Sequence, residues 1–136
     1  MKLTIADCLN LEIEIAGFTN NEGKVLLKGL LNEPLNLKTK YWLNRLATKL
    51  QAEKKAFTES RDALIKEIGE AQEDGSYSIP IKIGEELNPK YEVFNKQLQD
   101  LLDQEIEIDV HKFSIESFDF DSDSNYPTFM TKCIED

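Results

Sequence analysis

Leu43, Leu50, Phe57 and Leu64 recur at seven-residue intervals within Leu37–Ile68, a stretch that holds neither glycine nor proline. That interval returns to one side of an α-helix every two turns and predicts a single long, sided helix. Leu46, Ala47 and Ile68 widen the stripe, and Tyr41 and Trp42 add bulk near its start. The companion positions deteriorate, since Leu46 is followed at heptad spacing by Glu53 and Ser60. A two-stranded coiled coil needs apolar residues at both positions over several repeats. The pattern therefore predicts a long helix packed by two shorter helices.

Thr4–Ala16 reads as the first of these, with Thr4 as N-cap, Asp7 in the first turn, and Ile5, Leu9 and Ile13 with Cys8 and Leu11 as its stripe. Leu11–Ile15 also alternates, which is the signature of a strand. Gly17–Lys24 is turn-like, and Val25–Leu31 is a short apolar element set off from the long helix by Pro34. The second short helix starts at Asn88, a good cap, with Pro89 at its first position. It continues through Tyr91, Phe94, Leu98 and Leu101 and ends near Asp103. Tyr77, Ile79, Ile81 and Ile83 alternate, as do Ile106, Ile108 and Val110, so Ser76–Ile83 and Glu105–His111 are expected to pair as a small antiparallel β-hairpin. Pro80 would keep the first of these strands at a sheet edge. The fold class expected is mostly α (α+β), as one helical domain over residues 1–118 and an acidic, flexible tail over residues 119–136.

Rod length adds an expectation about partners. The long helix spans about 48 Å and the Pro89–Asp103 helix about 22 Å. Unless the first helix covers the remainder, an apolar stripe stays open for a second copy of the chain. We expect a homo-oligomer.

The formal net charge of −10 is unevenly spread. Residues 1–70 carry 11 Lys/Arg against 10 Asp/Glu, whereas residues 71–136 carry 5 against 16. This acidity disfavours generic nucleic-acid and membrane binding. No apolar run is long enough to cross a bilayer. Asp7, Glu12 and Glu14 stand where a signal peptide needs an uncharged core, so a cytosolic protein is expected. Cys8 and Cys133 are too few for a disulfide framework or a metal site.

Candidate chemistry is sparse. Asp119, Asp121, Asp123 and Asn125 alternate like the start of a calcium loop. The required glycine and the closing glutamate are replaced by Ser124 and Met130, so no metal is expected. His111, the only histidine, excludes multi-histidine sites and reads as a surface or strand-edge residue. Glu105, Glu107 and Asp109 fit the exposed face of a strand, although carboxylates alone would be the last route to an enzyme. No glycine-rich phosphate loop is present. We expect no enzyme and no cofactor. Between residues 38 and 61, Lys38, Lys40, Arg45, Lys49, Lys54, Lys55 and Arg61 face only Glu53 and Glu59. That basic face, with Tyr41 and Trp42 as stacking groups, suits either a solvated surface or an anionic ligand. Phe118, Phe120, Tyr126 and Phe129 are aromatic anchors in the acidic tail. They can dock into a partner or fold back on the chain's own domain. The partner-binding residues expected are thus Tyr41, Trp42, Phe118, Phe120, Tyr126 and Phe129.

The segment LNLKTKYWLNRLATKLQAEKKAFTESRDAL from Leu35, followed by the Glu73–Gly75 loop, the Phe94–Leu102 helix and the Glu105–Val110 strand, resembles a group of small proteins of tailed bacteriophages. Members of that group bring no established chemistry, so the resemblance implies a phage origin and no catalytic residues. The expectation is a non-catalytic phage protein acting through protein–protein contact with a phage or host protein. Its role would be in virion assembly or as a minor virion component, in the host cytoplasm or the virion. The alternative expectation is an anti-defence or nucleotide-sequestering oligomer that uses the basic long helix.

Overall fold

A computed structural model describes residues 1–118 and 126–134. The chain begins with β1 (Lys2–Thr4) and enters α1 (Ile5–Ala16) through a capping box. The Thr4 Oγ1 accepts from the Asp7 N–H at 3.0 Å, and the Asp7 carboxylate accepts from the Thr4 N–H at 3.2 Å. The alternating Leu11–Ile15 run is helix, not strand, because this start signal sets the register ahead of it. Its buried stripe is Ile5, Cys8, Leu11 and Ile15, flanked by buried Glu12 and Glu14. Ile5, Cys8 and Leu11 are residues of the expected stripe and Ile15 joins them, whereas Leu9 and Ile13 are only half-buried.

The turn-like segment after α1 is a tight hairpin, with β2 (Phe18–Thr19) antiparallel to β3 (Val25–Leu27). A 3-10 turn at Leu30–Asn32 leads to α2 (Leu37–Ile68), whose bounds match the glycine- and proline-free stretch. Asn36 caps α2, its side-chain oxygen accepting from the Thr39 N–H at 2.8 Å. The short pairs β4 (Glu70–Ala71) with β5 (Tyr77–Ser78), and β6 (Lys82–Ile83) with β7 (Glu86–Leu87), precede α3 (Pro89–Leu102). Then come β8 (Glu105–Glu107), a 3-10 turn at Ile115–Ser117 and α4 (Pro127–Lys132). The fold class is the expected one, mostly helical with small antiparallel strand pairs. Among the described residues no helix is long and apolar enough to cross a membrane.

The expected strand pairing needs correction. Pro80 lacks an N–H and splits the Tyr77–Ile83 run into two-residue strands, each closed by a local partner. β8 pairs instead with β1, placing Ile106 opposite Leu3. Leu3 is buried there, so the alternating face of β8 is used against the N-terminus.

The chain divides into two units, Met1–Lys54 with Glu105–Asp136, and Lys55–Gln104. The first unit, here the head, holds every buried apolar side chain among the described residues. Its core joins Leu43, Leu46, Ala47 and Leu50 of α2 to Leu3, Cys8, Leu11 and Ile15, and to Ile108, Phe113, Phe118, Tyr126, Phe129 and Cys133. The second unit, here the hairpin, is the latter part of α2, α3 and the short strands between them. Ser60, Arg61, Leu64, Leu98 and Leu101 line one groove between its two helices. Two helices can only half-cover one another, so Phe57, Leu64, Ile68, Tyr91, Phe94 and Leu98 stay half-buried. Asn88 is the buried residue of the hairpin, at 3% exposure. Its Nδ2 donates to the Pro80 carbonyl at 2.8 Å and its Oδ1 accepts from the Lys90 N–H at 3.1 Å.

Candidate functional site

Of the aromatic tail residues, Phe118, Tyr126 and Phe129 belong to the core of the head. Phe118, Tyr126 and Phe129 are buried, with Phe129 fully so. The Phe129 ring lies 5.3 Å from both Phe113 and Phe118. The carboxylate of Glu14, on α1, accepts from the Phe129 N–H at 2.9 Å and so caps α4 from another helix. The Tyr126 hydroxyl donates to Glu33 at 2.8 Å, and burial with this carboxylate pushes its pKa up. A bridge between Phe113 and Ile134 completes the closure. The expectation that Phe118, Tyr126 and Phe129 serve a partner is corrected: their apolar surface is used at home. Phe120 and the Asp119–Asn125 acidic repeat lie outside the described residues.

Burial also governs the thiols. It is the main reason that the Cys8 pKa rises from 9.0 to about 11, with Glu53 and Asp7 adding to it. The Cys133 pKa rises to about 12, again chiefly by burial. Both thiols keep their protons in the folded head at pH values where an unfolded chain loses them. Their stabilising contribution is therefore complete below pH 9.0 and is lost as pH climbs through 11 and 12. At about pH 8 the native protein should react with a thiol reagent far more slowly than in denaturant. Its urea midpoint should fall between about pH 9 and 11.

In the head Phe18, Val25, Leu26, Leu37 and Ile115 are exposed, and two further features of the surface are open to solvent. The first is the hairpin, where Tyr77, Ile81, Ile83, Leu87 and Val93 are 40% to 63% exposed. A shallow groove of about 380 Å³ is bounded there by Ile68, Pro89 and Val93, with Glu67 and Lys90 at its rim.

The second lies on the head. Trp42, half-buried on α2, stacks on His111 with ring centroids 4.1 Å apart and planes 8° from parallel. The Arg45 guanidinium sits 5.3 Å from the Trp42 ring and 5.9 Å from that of Tyr41. Tyr41 meets Trp42 edge-on at 5.3 Å and is 53% exposed. Inward, His111 meets Phe113 at 5.4 Å and so joins this surface array to the core. Trp42 and His111 both line two clefts, one of about 310 Å³ with Arg45, Lys49 and Asp109, the other of about 380 Å³ with Lys38 and Lys112. The Lys49 Nζ donates to the Asp109 carbonyl at 2.7 Å, and the Lys112 Nζ to the Lys132 carbonyl at 2.7 Å. Of the expected residues, the structure thus brings Tyr41 and Trp42 together. It adds His111, whose partnership with residue 42 has no local sequence signal.

No protein-family model, curated protein or solved structure matches the chain.

Proposed function

We propose that the chain is a non-catalytic phage protein that acts through protein–protein contact, in virion assembly or as a minor virion component. The observation that carries the contact reading is the hairpin, where no apolar side chain among the described residues is buried. Folding must offset roughly 1–2 kcal/mol of backbone entropy per residue, chiefly by removing apolar surface from water. A half-covered two-helix unit gains little from that term on its own. A second protein surface laid over Ile81, Ile83, Leu87 and Val93 supplies the missing burial. The phage setting is supported by the resemblance of the Leu35–Leu64 segment, and the non-catalytic reading by the lone histidine and the lack of a phosphate-loop motif.

Sedimentation equilibrium of the purified chain, alone and mixed with its neighbouring gene products, tests the contact. Association that Val93→Asp with Leu87→Asp weakens at least about tenfold is expected, since each charge would be buried without a partner. A single-chain mass at all concentrations, with no gene product retained, would remove the reading. Detection in purified particles by mass spectrometry separates a virion component from an assembly factor.

A further inference from the structure

We propose that the paired clefts around Trp42 and His111 bind single-stranded nucleic acid, a site separate from the protein contact of the hairpin. The chain as a whole is acidic, yet among the described residues four cations, Lys38, Arg45, Lys49 and Lys112, line these clefts against one carboxylate, Asp109. Among the described residues none of the four forms an ion pair; most of the chain's other Lys and Arg side chains form none either, and what sets these four apart is that they gather around the same two clefts. Two of their amines are held on backbone carbonyls, which fixes their position without neutralising them. Anion recognition gains most from cations that are ordered and uncompensated.

The spacing selects the kind of anion. Lys38 and Lys49 are eleven residues apart on α2, about 16 Å along its axis, with Trp42 between them. One phosphate group cannot reach both clefts, but successive phosphates of a strand crossing the Trp42–His111 ridge can. The faces of a strand's bases need flat partners, and the Tyr41 ring, 53% exposed beside the Trp42–His111 stack, supplies one. Duplex DNA holds its bases inside the helix and offers no such faces. Phosphates crossing the first cleft also pass Asp109, a like charge whose removal should strengthen binding.

Trp42 is the chain's only tryptophan, so its fluorescence reports on this site directly. Titration with a short oligothymidylate at low salt should quench it saturably, and the anisotropy of a labelled strand should rise in parallel. With two phosphates engaged, affinity falls about sevenfold between about 50 and 200 mM salt. Arg45→Ala with Lys49→Ala, or Lys38→Ala with Lys112→Ala, each lowers affinity about tenfold with unchanged circular dichroism. Asp109→Asn raises it severalfold, which a merely structural role for this cleft does not predict. Three outcomes would overturn the proposal: no binding at low salt, binding indifferent to these charge changes, or a mononucleotide bound as tightly as the strand.

Discussion

Phe129→Ala should lower the stability of the head by about 3 to 5 kcal/mol, the usual cost of emptying a fully buried aromatic site. The ring is 0% exposed and packs between Phe113 and Phe118, so the void has rigid aromatic walls that cannot collapse into it. The same residue anchors α4, whose six residues are too few to hold helical shape without packing. Losing the ring therefore weakens the Glu14 cap, the Tyr126–Glu33 hydrogen bond and the Phe113–Ile134 bridge together. Domains of this size are typically stable by about 5 to 15 kcal/mol, so the variant should sit close to unfolding at 37 °C. Tyr126→Phe, which deletes only the hydroxyl, should cost about 1 to 2 kcal/mol. Ile115→Ala, at an exposed position, should stay within about 0.5 kcal/mol. Urea unfolding followed by Trp42 fluorescence gives all three values. Equal midpoints for Phe129→Ala and Ile115→Ala would mean that the C-terminal segment is not part of the core.

The second large effect is expected from Gly29→Ala. Gly29 has φ of +92°, a region that side chains of L-residues rarely enter. A Cβ there would lie 2.5 Å from the Gly17 nitrogen and 2.7 Å from the Ala16 carbonyl carbon, both backbone atoms that cannot swing away. Gly17 faces the same obstacle in reverse, 2.6 Å from the Lys28 carbonyl oxygen. The two glycines thus let the exit of α1 and the end of the β2–β3 hairpin touch backbone to backbone. Strain and overpacking together should cost on the order of 3 kcal/mol. Gly23→Ala, with comparable φ but open space around it, should lose only about 1 to 2 kcal/mol. Thermal unfolding of the two variants checks the order, and similar losses in both would show that the close approach does not matter.

These two sites also mark what the sequence could and could not disclose. Local signals were readable. Thr4 and Asp7 announced α1, Asn88–Pro89 announced α3, and the unbroken stretch from Leu37 to Ile68 announced α2 with its bounds. Long-range partnerships were not. β8 met β1 across the whole chain because Leu3 and Ile106 both needed cover, and nothing near either residue names the other. Glu14 falls within an apparently alternating Glu-Ile run, so its service as a cap for α4 could be seen only in three dimensions. The acidic composition around Phe118 and Tyr126 suggested a loose tail, yet their aromatic rings found more burial inside than outside. At the candidate site, Tyr41 and Trp42 were legible as a pair at the start of a basic helix. His111, read as an edge residue, became the face on which Trp42 stacks.

The central claim is that burial is concentrated in the head while the hairpin over Lys55–Gln104 keeps apolar surface for another protein. Hydrogen–deuterium exchange, read by mass spectrometry over a range of protein concentrations, tests it most directly. Head peptides from α1, the first turns of α2 and β8 should be strongly protected at every concentration. Peptides from α3 and the β4–β7 strands should exchange quickly in dilute protein and slow when the chain associates or its partner is added. Strong protection of the hairpin in dilute, single-chain protein would contradict the account.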